Sequence, residues 1–267
     1  MPRSGLFAVG LLLCVGHGTA RAEGSPTPTP TIIRYDEDWS GLATPAHRTG
    51  RWTEAFKYVP LADPGGAYLT TGLEVRLRQE TYRDNLWGGA EAPNDSVAWI
   101  RALPYADLHV GVVRAFVQPI AAYGLGVSQA TSPIDQTRVD LLQGFADASL
   151  PIGDGSVTLR AGRQMVSLGT ERLIGTRYGP NVPLAFDGVR AIVKTGVGTI
   201  DLFQLRPVRP GPRAFDDRAS PTKRLWGAYA TTGSLDVYYL GYNNREARFD
   251  LGAGAEHRHT IGMRSFG

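Results

Sequence analysis

Eight arginines, Arg76, Arg78, Arg101, Arg114, Arg160, Arg190, Arg258 and Arg264, are dispersed along the chain, each inside a stretch where polar and apolar residues alternate. A guanidinium stays charged, and its planar fork matches a carboxylate with two hydrogen bonds. Repeated along one surface, such groups suit a polyanion that carries one carboxylate per sugar. Glu74, Glu80, Asp107, Asp147 and Asp201 recur in the same stretches. They are candidates to hold the arginines upright and to keep any one site from trapping a ligand, because conduction needs several weak sites. For any single arginine the competing reading is that it solvates a wall and pairs with a neighbouring carboxylate.

Other chemistries find little support. The chain has no G-x-S-x-G, no H-E-x-x-H and no P-loop. Asp107 and His109 are two apart and share a strand face, as do His257 and His259, but either pair would lack a third and fourth metal ligand. Both read as polarity of a lumen or its rim. No catalytic residue, metal or cofactor is assigned, and the protein does not read as an enzyme. The arginines are spread rather than clustered on one exposed surface, which argues against nucleic acid as a partner.

The segment that carries the first of these groups shows how they are positioned. From Tyr68 to Tyr82, Leu69, Thr71, Leu73, Val75 and Leu77 alternate with Thr70, Glu74, Arg76, Arg78 and Glu80. Two-residue alternation makes a strand with one oily and one ionic face. A soluble sheet buries the oil, whereas a transmembrane barrel turns it to lipid and turns charge to a wet lumen. Arg101, Asp107 and His109 oppose Ile100, Ala102 and Leu108 in the same way. So do Arg114 and Gln118 against Val113, Ala115 and Val117, Arg190 and Lys194 against Val189, Ala191 and Val193, and Arg258 and Arg264 against Ile261 and Met263. Arg160 and Arg163 break phase, which a bulge at Gly162 would explain.

The first 22 residues, with Arg3, an apolar run from Leu6 to Val15 and Ala20-Arg21-Ala22, read as a secretory signal peptide for Sec export. Their apolar core falls short of the ~20 residues that span a bilayer. The only cysteine, Cys14, lies within it, so the mature chain offers neither disulfides nor thiolate ligands. Loss of Arg3 and Arg21 lowers Lys plus Arg from 28 to 26 against 25 acidic residues, a net charge of +1. Residues 23–65 form an N-terminal segment that opens on a tether in which Pro26, Pro28 and Pro30 alternate with threonine. Trp39, Trp52, Phe56 and Tyr58 follow among charges, with no readable role.

Residues 66–267 carry the strands, predicted near 68–82, 96–109, 112–123, 138–150, 156–168, 186–195, 199–206, 223–232, 234–244 and 257 to the end. Short connections after the second, fourth, sixth and eighth alternate with long polar ones after the first, third, fifth, seventh and ninth. Outer-membrane barrels have short periplasmic turns and longer outside loops in this order. A soluble β-sandwich or propeller is the alternative, but nothing obliges its loops to alternate.

Across nearly all of the mature chain the sequence resembles the alginate export family of outer-membrane barrels. The matching runs are Phe56-Lys57-Tyr58-x-Pro60-Leu61, Gly72-x-Glu74-x-Arg76-x-Arg78-x-Glu80, Ala106-Asp107-Leu108-His109 and Asp140-Leu141-Leu142-Gln143-x-Phe145. They continue through Leu159-Arg160-x-Gly162-Arg163-Gln164, Arg172-Leu173 through Gly179-Pro180-Asn181, Phe186-Asp187-Gly188-Val189-Arg190, Phe215-Asp216-Asp217 and Glu256-x-Arg258-His259-Thr260-x-Gly262-x-Arg264. The resemblance implies an all-β, antiparallel up-and-down transmembrane barrel. It further implies eighteen strands, a monomer in the outer membrane of a Gram-negative bacterium, and an arginine-lined constriction that passes acidic polysaccharide. A general anion-selective porin for small solutes is the alternative. Partners are then outer-membrane lipid, an acidic polysaccharide such as a polyuronate, and periplasmic secretion components. Because the chain ends inside its tenth predicted strand, it reads as the first part of a longer barrel.

Overall fold

A computed structural model of the chain describes residues 28–62, 66–83, 94–127, 132–211 and 213–267. The segment read as a signal peptide and the start of the predicted Pro/Thr tether lie outside them. Twelve strands form one antiparallel sheet: β1 (Val59–Ala62), β2 (Ala67–Tyr82), β3 (Asp95–Val110), β4 (Val113–Leu125), β5 (Arg138–Ile152), β6 (Gly155–Gln164), β7 (Phe186–Thr195), β8 (Gly198–Arg209), β9 (Arg218–Ala219), β10 (Lys223–Thr232), β11 (Leu235–Phe249) and β12 (Gly252–Ser265). Each strand pairs with its sequence neighbour from β1 to β8, then β8 with β10 and on to β12, while the two-residue β9 pairs only with β8. This is the up-and-down order expected of a barrel wall. The sheet is open, with β1 and β12 at its two edges.

Ten of these strands fall where alternation places them. The two extra ones, β1 and β9, are four and two residues long, too short to show a period. The phase break in β6 has a different cause from the one expected. β6 pairs with β5 and β7 in unbroken register, so Arg160 and Arg163 take opposite faces and Gly162, at φ +133°, inserts no extra residue. The register shifts instead between Gln118 and Pro119, where β4 meets β5. The alternation of loop lengths also has an exception, because β11 and β12 extend toward each other until only Asp250 and Leu251 separate them.

The periodicity of two sets which face is which. On β2 Leu73, Val75 and Leu77 are 65%, 64% and 73% exposed. Val113, Leu159, Val189, Ile200, Leu202, Ile261 and Met263 are exposed on the same side of their strands. So wide an apolar face, left bare by the protein itself, is the face that hydrocarbon covers in a barrel. Among the described residues no helix is long and apolar enough to cross a membrane.

The opposite face is filled by two inserts. Residues 28–58 fold into four short 3-10 turns, at Arg34–Asp36, Ser40–Ala43, Pro45–His47 and Trp52–Phe56. Their Ile33 and Tyr35 join Leu103, Tyr105, Phe116, Ile120, Phe145 and Met165 in one apolar cluster. The connection between β6 and β7 supplies Val166 and Ile174 to a second cluster, with Phe203, Leu205, Tyr229 and Leu240. Among the described residues the arginines of the inner face therefore share it with these inserts. It is a wall of mixed charge and aromatic rings partly covered by its own chain.

Candidate functional site: the inner charged belt

The short turns after β3 and β5 open on Gly111 and Gly153 at positive φ, +55° and +54°, as tight hairpins require. Just inside these turns, and the corresponding turns after β7 and β10, lies a belt of carboxylates held by donors from the partner strand. Asp107 receives Arg114 Nε and Nη2 at 2.7 and 2.6 Å across β3 and β4, and His109 Nε2 lies 3.1 Å from the same carboxylate. Asp147 receives Arg160 Nε and Nη2, both at 2.7 Å, across β5 and β6. Arg190 Nε meets Asp201 at 3.0 Å across β7 and β8. Tyr229 donates to Asp236 at 2.7 Å across β10 and β11, and Arg264 Nε reaches the same carboxylate from β12 at 2.8 Å. Parallel two-point bonds between ions are among the strongest a side chain can make.

A second group sits farther from the turns, on β2 and β3. Glu74 accepts from Arg101 Nη2 at 2.8 Å, from Arg34 Nη2 at 3.0 Å and from the Tyr178 hydroxyl. Arg101 is fully buried and its guanidinium stacks 4.3 Å from the Tyr178 ring. Arg76 donates to the carbonyls of Tyr178, Gly179 and Pro180, and Arg78 to that of Gly179. These arginines thus grip the connection between β6 and β7. Asn181 pins the same connection to the carbonyls of Ile100, Tyr123 and Asp135. Burial and the bond to Glu74 push the Tyr178 hydroxyl up to about 12. Glu80 accepts from Trp99 Nε1 and the Tyr82 hydroxyl, both at 2.6 Å, with Arg78 Nε 3.3 Å away.

The structure brings Arg114, Arg160, Arg190 and Asp107 into the belt and Arg76, Arg78, Arg101, Glu74 and Glu80 into the second group. Arg258 stands apart, paired only with Glu256 on exposed β12, and Arg264 lies at the far end of the belt. Arg78, Arg101, Arg114, Arg160, Arg190, Arg258 and Arg264 each lie within 4 Å of a carboxylate, whereas Arg76 is spent on backbone carbonyls. His257 and His259 lie not on the lumen side but on the apolar face, where His259 Nδ1 is 2.7 Å from the Tyr239 hydroxyl and His257 Nδ1 is 2.8 Å from Asn243 Oδ1. Three carboxylates, Asp140, Asp216 and Asp217, bring oxygens within 4.8 Å of one another. Asp217 is occupied by the Gly211 N–H and the Thr137 hydroxyl, which makes the group an anchor for the loop after β8.

Sequence reasoning missed the contributions of the N-terminal segment. Tyr35 packs against the stacked rings of Phe116 and Phe145, edge-on to them at 5.8 and 5.1 Å, with the Arg160 guanidinium 4.1 Å over its ring. Arg114 Nη2 donates to the Tyr35 carbonyl at 2.6 Å. Lys57 lies 4.8 Å over the Tyr105 ring. Between this segment and β4 to β8 a cavity of about 750 Å³ remains, lined by Asp36, Arg114, Arg160, Arg190, Lys194 and the hydroxyls of Ser149, Ser156, Thr158 and Thr199. Burial pushes the Asp36 carboxyl up while Arg160, Arg190, Lys194 and Arg114 pull it down, with a net rise. No apolar pattern marks Asp36 or Tyr35, because a short irregular segment has no period.

A family model for alginate export matches residues 67–267, the stretch that runs from β2 to the end of β12. The chain belongs to the alginate export family. Its sheet is accordingly the wall of an outer-membrane channel of alginate-export type, and the family is one of transport channels rather than enzymes. No curated protein and no solved structure matches the chain.

Proposed function

We propose that this alginate export family member conducts an acidic oligo- or polysaccharide, its uronate carboxylates passing along the inner arginines. One observation carries this reading: Arg114, Arg160, Arg190 and Lys194 line a single cavity with serine and threonine hydroxyls, among them Ser149, Ser156, Thr158 and Thr199, and the Asp36 carboxylate already sits in their field. A uronate unit presents that combination, a carboxylate on a ring of hydroxyls. Arg114, Arg160 and Arg190 are tied to aspartates, which leaves Lys194, without hydrogen bond or ion pair among the described residues, as the cation freest to exchange partners. Several weak contacts of this kind permit passage where one strong one would trap.

Planar-bilayer conductance tests the reading. The native protein is expected to favour anions and to be blocked by polyuronate. Arg76→Gln with Lys194→Gln should weaken both effects, whereas Asp36→Asn, which removes the internal competitor, should strengthen the block. Cation preference, or block indifferent to all three substitutions, would overturn the proposal. Equal block by small anions would favour the general anion porin instead.

A further inference from the structure

The outward face of β7 to β12 changes character along its height. On β10, Ala230 and Ala228 are followed outward by Trp226 and then Arg224, and on β8, Ile200 and Leu202 are followed by Gln204 and then Arg206. Pairing aligns these changes, since Trp226 pairs with Gln204 and Gly241, and Gly241 with His259. Trp226 meets His259 edge-on at 6.2 Å, and Tyr239 bonds the same histidine from below. Amphipathic rings of this kind collect where hydrocarbon gives way to headgroups. The arginines stand one step beyond them, on the side of the long loops.

Arg206 and Arg224 differ from every arginine of the inner belt. Neither has a hydrogen bond or ion pair among the described residues. Asp187, the cross-strand partner of Arg206, is occupied by Arg163 Nε and Nη2 at 2.7 and 3.0 Å. The register of β8 and β10 sets the two arginines side by side, and they line a groove of about 370 Å³ together with Gly188, Val189, Leu205 and Ala219, with Gln204 and the Arg163-bound Asp187 at its polar end. Two guanidiniums without a carboxylate of their own, above a groove walled mainly by apolar atoms and with its one carboxylate already bound by Arg163, match an amphiphile with an anionic head and an acyl tail, and a phosphate is the head their forks fit best.

We propose that Arg206 and Arg224 form a docking site for the phosphates of a phosphorylated glycolipid of the outer leaflet, its acyl chain lying along the groove below. The alternation of faces places both arginines outside the wall, so the site is independent of conduction through it.

The test uses the full chain in detergent micelles, with lipid A as probe and phosphatidylglycerol and inorganic phosphate as comparators, read by native mass spectrometry and by the shift in melting temperature. Lipid A should bind wild type and raise its melting temperature. Arg206→Gln with Arg224→Gln should bind roughly tenfold more weakly or worse, as expected when two surface cations are removed, with bilayer conductance unchanged. Arg51→Gln, a charge loss on the N-terminal segment, should leave lipid binding intact. If the double variant does not refold, Arg224→Gln alone, at an exposed position, should still show a several-fold loss. Undiminished lipid A binding in the variants would overturn the proposal. So would equal binding of phosphatidylglycerol, or saturation of the site by inorganic phosphate.

Discussion

Tyr35 donates its hydroxyl to the carbonyl of Met165 at 2.6 Å, across 130 residues of chain. The bond is buried and ties the N-terminal segment to the end of β6. Removing it alone, in Tyr35→Phe, should cost docking of the segment about 1 kcal/mol. Tyr35→Ala also removes the ring packed edge-on against Phe116 and Phe145 and should cost about 3–5 kcal/mol. Trypsin cleavage after Arg48 and Arg51 reads both, and cleavage no faster in Tyr35→Ala than in wild type would show that the segment is held by other contacts.

The Asp147 and Arg160 pair offers a sharper contrast. Asp147→Ala strands a buried guanidinium and should destabilise the barrel by about 3–5 kcal/mol, whereas Asp147→Leu with Arg160→Met, which removes both charges, should come close to neutral. Unfolding in urea from micelles measures the difference. If the double substitution proves as damaging as the single one, the pair is needed for itself and not merely for mutual neutralisation.

Outward and inward positions should respond differently to charge. Val75→Arg on the apolar face is expected to cost about 2–4 kcal/mol near mid-membrane. Ser156→Lys, which points into the inner cavity, should be nearly silent in the same unfolding assay. By alternation alone Thr70→Arg would also be accommodated, but Thr70 is only 2% exposed and donates its hydroxyl to the Lys57 carbonyl at 2.7 Å. Arginine there should displace the N-terminal segment, seen as faster trypsin cleavage.

Glu54 supplies a pH dependence. Its carboxylate accepts from the Thr49 hydroxyl and from the backbone N–H groups of Thr49 and Gly50, and the Thr49 hydroxyl bond in particular holds its pKa below the usual value. A depressed carboxylate stabilises fully above its ordinary pKa and loses that contribution as pH falls through the depressed value. Hydrogen-exchange protection of the Thr49 and Gly50 N–H groups, corrected for the intrinsic rate, should therefore decline as pH falls below about 4.5. In Glu54→Gln this decline should be absent, with weaker protection already at neutral pH.

Legibility followed the physics of period. β2 and β7 were readable almost to the residue because Leu73, Val75 and Leu77, or Val189, Ala191 and Val193, recur every second position and face lipid. The inner arginines were readable for the same reason, as the other half of the alternation. What they bind was not, since Arg76 and Arg101 end on carbonyls of Tyr178 and Pro180, more than 75 residues away. Asp250 and Leu251 became a turn where a loop was expected because Ala247, Arg248 and Phe249 pair with Gly254, Ala253 and Gly252, small residues that carry no strand pattern of their own.

Asp107 and Arg114 are seven residues apart, Asp147 and Arg160 thirteen, Arg190 and Asp201 eleven. Closing so short a stretch costs little chain entropy, so each of these three hairpins can neutralise these charges before the next one arrives. A bilayer receiving these three units one by one meets pairs of opposite sign already joined, so Arg114, Arg160 and Arg190 need not cross oil in search of a distant mate.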